Sequence, residues 1–318
     1  MQWKTRVTDM LGITYPIIQG GLAHLAYADL AAAVSNAGGL GQVTAMSLGN
    51  PELLKEEMRK VKQMTDAPFA VNFAIGAHDR PFIPYIEAAL EEGMEIATIT
   101  GGNPKPVFQA LEGTNVKKLV LVAAKRQAQK AEELGADAVI VVGQEGGGHL
   151  GRDDLGTMVL VPQVVDAVKI PVIASGGIGD GRGMMAALSL GAEGIEMGTR
   201  FIATKECVDA NPLYKKALIE GSEQDTVIIK RSLGAPARAI SNAWTDKILE
   251  LEKANAGYTE LKDYISGSTN KKYIHDGKLE EGYAWAGQVL GMIKDEPTVQ
   301  ELFDSMIAKA EEIRCKWR

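Results

Sequence analysis

Two short apolar runs in the second half of the chain end in glycine. Pro171–Ala174 leads into Ser175-Gly176-Gly177, and Gly194–Met197 leads into Gly198-Thr199. Bare backbone N–H groups at such strand ends, with a helix beginning near Gly181, offer partial positive charge to a phosphate without desolvating a lysine. A second candidate is Gly146-Gly147-Gly148-His149. Gly147 and Gly148 let the backbone approach a flat ligand, and imidazole titrates near neutrality, so His149 can take or give a proton there. The plain alternative is a structural histidine held by its loop. Glu145 either orients His149 or is a solvated loop acid. The turn Gln19-Gly20-Gly21-Leu22 adds backbone donors suited to a planar ring system. Asn72, an amide inside the apolar run Val71-Asn72-Phe73, needs partners from a ligand or from within the protein. His24 reads as a loop or helix-start residue, and His78 and His275 as solvated. No His/Cys/Asp/Glu cluster has metal-ligand spacing, so no metal is expected.

The elements that must position these groups alternate regularly. Candidate strands are Pro16–Gln19, Gly41–Thr44, Phe69–Phe73, Ile96–Thr100, Lys118–Val122, Ala138–Val142, Pro171–Ala174 and Gly194–Met197. Segments rich in Ala, Leu, Glu and Lys at amphipathic spacing separate them. This count predicts an α/β fold, a TIM (β/α)8 barrel, in which a phosphate commonly sits on the loops after strands 7 and 8. A doubly wound open sheet accounts for much of the same pattern. The alternation stops near Lys230. Residues 231–291 are expected to form a small C-terminal helical cap on a barrel made by residues 1–230. Residues 292–318 are expected to return as an amphipathic helix packed on the barrel.

A net charge of -7 and a pI near 5.3 argue against a nucleic-acid partner. The N-terminus carries no signal-peptide pattern and no apolar run is long enough for a bilayer, so no membrane partner is expected. Only Cys207 and Cys315 occur, neither near the glycine turns, which fits free thiols, a cytoplasmic setting and no nucleophilic cysteine. The expected partner is a small-molecule substrate. Apolar helices in the cap allow a homodimer.

Taken in order, QGG near residue 20, AGGLG at 37–41, VN at 71–72, GGGHLG at 146–151, SGGIGDGRG and GTRF resemble the nitronate monooxygenase family of FMN-dependent barrels. That family includes the 2-nitropropane dioxygenases, enoyl-ACP reductase II and bacterial NADH:quinone reductases. The resemblance covers nearly the whole chain, through the turn Trp285-Ala286-Gly287-Gln288. It implies FMN as cofactor, with its phosphate on Gly176, Gly177, Gly198 and Thr199, its ring against Gly21, Leu22 and Asn72, and His149 as the active-site histidine. Residues 200–318 resemble the NADH:quinone reductase branch most, as does the Pro-rich loop Asp79–Tyr85, which implies NAD(P)H as co-substrate and a small acceptor such as a quinone. Oxidation of alkyl nitronates with O2, reduction of an enoyl thioester, and a non-catalytic flavin-binding protein are the alternatives. A non-flavin barrel that binds a sugar phosphate is a further one. Leu121 stands where the quinone reductases carry Lys. Gly234-Ala235-Pro236-Ala237-Arg238 stands where enoyl reductases carry Gly-His-Pro-Ala-Arg, which lowers that reading.

Overall fold

A computed structural model describes residues 3–76 and 81–316. Its strands in chain order are β1 Ile17–Gln19, β2 Gly41–Thr44, β3 Phe69–Ala74, β4 Ile96–Thr100, β5 Lys117–Val122, β6 Ala138–Val142, β7 Gly148–His149, β8 Val172–Ser175, β9 Gly194–Met197, β10 Thr226–Ile229 and β11 Ala237–Ile240. Eight of them form one parallel sheet ordered β1-β9-β8-β6-β5-β4-β3-β2. Its ends meet through a bridge between Ile18 and Leu40, with Leu40 N–H donating to the Ile17 carbonyl at 3.0 Å. The sheet is therefore rolled into a TIM-barrel-like α/β fold. Each of the eight expected strands forms, because parallel strands covered on both faces read as continuous apolar runs; all five residues of β6 are buried.

The lumen is layered. Ile18, Leu40, Ala70, Ile96, Leu119, Ala138, Ile140 and Ile173 form its apolar floor, closed from below by Val7 and Leu11 of the helix Arg6–Leu11. Two residues further along each strand the character changes, since successive side chains alternate between the two faces. Gln42, Asn72, Thr98, Ser175 and Glu196 are buried there as a polar layer just under the C-terminal mouth. Leu121, the departure at strand 5, packs against the apolar floor at the same height.

The closing helix Val299–Lys316 buries Val299, Leu302, Met306 and Ala310. It lies so close on the helix Gly181–Ser189 that a methyl on Gly181 would sit 2.3 Å from the Met306 carbonyl oxygen. The segment 231–291, expected as a helical cap, carries helices and also the strand β11. β10 and β11 pair antiparallel and β11 pairs with β7, Ala237 facing His149 and Arg238 facing Gly148. The helices Ala243–Lys253, Tyr258–Leu261 and Gly267–Ile274 follow. Ile229, Ala239, Ile248, Leu261 and Tyr283 give this region its own small core. Thr226–Ile229 and Ala237–Ile240 escape sequence reading because each spans only four residues, and the second holds helix-favouring alanines and a buried arginine. Among the described residues no helix is long and apolar enough to cross a membrane.

Candidate active site

The glycines that follow β8 and β9 lie at the C-terminal ends of two adjacent, paired strands. Gly176 and Gly177 take φ of 95° and 74°, left-handed values that glycine adopts without strain. With Gly198 and Thr199, their backbone N–H groups donate to no acceptor among the described residues. The Thr199 hydroxyl accepts from Gly287 N–H at 2.9 Å, which leaves its own hydrogen free to donate. The helix starting at Gly181 contributes less than the sequence implied. Asp180 caps it, accepting from Arg182 N–H at 2.9 Å and Gly183 N–H at 3.2 Å.

After the neighbouring strand β1, Gly20 packs against Gly198, and a methyl on Gly21 would lie 2.7 Å from the Asn72 amide. Leu22 is half-buried beside Gly198. Asn72 Nδ2 donates to Thr98 Oγ1 at 2.9 Å, and the Thr98 hydroxyl in turn donates to Gln42 Oε1. Asn72 Oδ1 has no donor among the described residues, although the side chain is buried. Asn72 Oδ1 is not among the sealed, unpartnered polar atoms of the interior, so it keeps access to the mouth, where a bound ring N–H could reach it. On the opposite wall Ser175 Oγ donates to Glu196 Oε2 at 2.8 Å. Burial pushes the Glu196 carboxyl up to about 7, against the smaller opposing effect of that hydrogen bond.

His149 lies on β7 at the mouth, exposed, with its ring 5.6 Å from that of Trp285. Its Nε2 meets Lys230 Nζ at 2.9 Å. The Lys230 ammonium also lies over the Trp285 ring, 5.5 Å from its centroid. Crowding by the protein, then the Lys230 charge, lowers the imidazole pKa to about 4. Desolvation lowers Lys230 to about 8, opposed by Glu252. At neutral pH the pair is thus a neutral imidazole beside an ammonium.

Glu145 fills neither role expected of it. It accepts from Thr157 N–H at 2.9 Å and from the Thr157 hydroxyl at 3.0 Å, capping the helix Thr157–Val165. Gly147 is pressed against Gly287, where a methyl would meet the Gly287 nitrogen at 2.6 Å, so the late Trp285–Gln288 turn belongs to this mouth. Gly148, with φ of 75°, turns the chain into His149. Arg238 is buried beneath the loop and donates to the Gln144 carbonyl at 3.0 Å and to Thr226 Oγ1 at 3.0 Å. His275 is half-buried rather than solvated, its Nδ1 2.9 Å from the Asp209 carbonyl oxygen. His24 takes φ of 65° in the first loop, its ring 6.4 Å from that of His275. His78, Asp79 and Arg80 lie outside the described residues. Lys230, Trp285 as a ring partner, and Glu196 escaped the sequence reading. Only Glu196 had a signal there, a carboxylate in the middle of an apolar strand. Among the described residues no group of three or more His, Cys, Asp or Glu could hold a metal.

A barrel with glycine-rich ends on β8 and β9 and a His–Lys pair at the same mouth fits a class: barrel oxidoreductases built around a phosphorylated cofactor. The nitronate monooxygenase family profile matches residues 4–83 and 77–309, and the chain belongs to that family of flavin-dependent oxidoreductases. A Staphylococcus saprophyticus protein described as "Probable nitronate monooxygenase" is 32% identical, over 98% of this chain and 99% of its own. A carboxyl-CoA dehydrogenase of Rhodococcus jostii is 32% identical over 96% of each chain. Among solved structures, FabK from Thermotoga maritima superposes with a TM-score of 0.93 at 38% identity, covering 99% of this chain and 98% of that one. Nitroalkane oxidase from Streptomyces ansochromogenes superposes with a TM-score of 0.84 at 26% identity, covering 99% and 100%.

Proposed function

We propose that this chain binds FMN, accepts a hydride from NAD(P)H and passes it to a small acceptor such as a quinone. Bound FMN supplies a carrier that takes and gives a hydride; the protein supplies binding, orientation and protons. Gly176, Gly177, Gly198 and Thr199 would hold the phosphate with backbone N–H groups, and Ser175 fixes the strand end below them. Gly20, Gly21 and Leu22 would flank the ring, while the open Asn72 Oδ1 would receive a ring N–H. Gly147 and Gly148 let the chain carrying His149 approach the same face.

The single observation that carries the reading is the His149–Lys230 contact at 2.9 Å beside this recess. An acceptor that takes a hydride becomes an anion and needs a proton, and the pair holds one at neutral pH. The free cysteines support a reducing, cytoplasmic setting.

A second reading, an enoyl thioester as acceptor, is favoured by the carboxyl-CoA substrate in the name of the Rhodococcus jostii relative. The test is anaerobic mixing of FMN-loaded protein with NADH and then NADPH, following flavin absorbance. Bleaching by either, with reoxidation by 1,4-benzoquinone, is the expected outcome; reoxidation by an enoyl-CoA alone selects the thioester reading. Failure to bleach, with reduction by an alkyl nitronate instead, replaces the proposal with nitronate oxidation.

A further inference from the structure

The contact between Lys230 and His149 constrains more than the charge of the site. An ammonium has only donors, so the imidazole nitrogen that meets it must present its lone pair. Nε2 is therefore the acceptor, and the imidazole proton resides on Nδ1. Among the described residues nothing accepts from Nδ1, and His149 is exposed at the mouth. The Nδ1–H is thus left without an acceptor of its own on an exposed side chain.

Lys230 is held in place rather than loosely tethered. Its backbone takes φ of 66°, a left-handed conformation that side chains other than glycine rarely adopt. Glu252, on the helix Ala243–Lys253, clamps that turn by accepting from Lys230 N–H at 2.9 Å and from Ser232 N–H and Oγ at 2.8 and 2.9 Å. The Trp285 ring then carries the ammonium. Two of the other charged side chains on these segments have partners of their own. Arg231 pairs with Asp154 at 3.0 Å, Arg238 donates to Gln144, and Arg152 lies against Gly234.

We propose that Lys230 and His149 form a two-stage proton relay, in which Lys230 Nζ is the store and His149 Nδ1 delivers the proton to the acceptor. The inference rests on the reading that an acceptor takes a hydride ultimately drawn from NAD(P)H. The anion formed at the acceptor takes the proton from Nδ1, and that N–H bond breaks. Nε2 takes a proton from Nζ as its lone pair forms the new bond, so the imidazole stays neutral and Lys230 becomes an amine. One solvent proton added at Nδ1, with the Nε2 proton returned to Nζ, restores the pair. Lys230 acts through His149 and never meets the acceptor.

The relay is tested with Lys230→Met and Lys230→Arg, each checked for folding by circular dichroism. The first readout is an NMR titration of the His149 imidazole, assigned by the signal lost in His149→Gln. It needs neither donor nor acceptor, so it stands even if NAD(P)H fails to reduce the flavin. Native His149 is expected to stay neutral to about pH 4 and to titrate measurably higher in K230M, which lacks the Lys230 charge. An unchanged titration overturns the proposal. The second readout is quinone turnover against pH with NADH as donor. The native rate is expected to fall above about pH 8, where Lys230 loses its proton. K230M should be slower by about tenfold to a hundredfold, without that fall. Arginine keeps the charge but does not release a proton at any working pH. The relay therefore requires K230R to be as slow as K230M. K230R turning over at the native rate overturns the relay.

Discussion

Glu196→Gln isolates the energetics of the polar layer under the mouth. The carboxyl is only 5% exposed, its hydrogen-bond partner is Ser175 Oγ, and burial raises it to about 7 from an ordinary 4.5. Because the folded-state value is the higher one, the folded protein pays nothing for this group below about pH 4.5, where it is protonated folded or unfolded. As pH rises toward 7 the unfolded chain ionises first, and the folded state loses stability relative to it. At about 1.4 kcal/mol for each pH unit, the gap between 4.5 and about 7 amounts to about 3 kcal/mol above neutrality. Glutamine keeps the shape and still accepts from Ser175 Oγ, but has no charge to desolvate. With an unfolding entropy of about 2 cal/mol/K per residue, a chain of 318 residues converts that difference into about 4–5 °C. Thermal unfolding of E196Q and the native protein should therefore coincide near pH 4.5 and diverge by about that much near pH 8, the variant melting higher. Parallel melting curves across that range would refute the reasoning, since they would mean Glu196 ionises as freely folded as unfolded.

The remaining predictions concern the nest, the loop and the thiols. Gly176→Ala places a side chain at φ of 95° and a methyl 3.0 Å from the Gly143 carbonyl oxygen, so FMN affinity measured by fluorescence quenching should fall at least about tenfold. Arg238→Met removes the donors that hold the Gln144 carbonyl and Thr226; the chain leading to His149 should loosen, with faster amide exchange through residues 144–150. Cys207 is fully buried and its thiol is pushed up to about 12 by burial, whereas Cys315 is exposed. A thiol reagent should therefore label one cysteine quickly in native protein and the second only on unfolding.

The barrel was legible because its information is local. A strand covered on both faces must be apolar throughout, as Ala138–Val142 is, and a strand end that turns through left-handed φ favours glycine, as at Gly176 and Gly177. The same logic explains what stayed hidden. Glu145 caps a helix whose first residue lies 12 positions later, after Gly156 has left the N-cap without a side chain. No rule of capping spacing reaches that far. Lys230 is 81 residues from His149 and meets it only because β11 brings the end of the β10–β11 hairpin against β7. In sequence Lys230 follows three apolar residues and precedes arginine, which reads as an ordinary solvated turn. Its significance depends on two long-range facts, a carboxylate from the helix Ala243–Lys253 that fixes its backbone and an indole that carries its charge. In the proposed reading the barrel would supply the cofactor's nest through backbone groups, which many sequences can provide. The proposed proton chemistry would be supplied across the joint between the barrel and the β10–β11 hairpin, by side chains that become neighbours only in the folded chain. Substitutions on that hairpin should therefore change which acceptor is reduced while leaving the flavin in place.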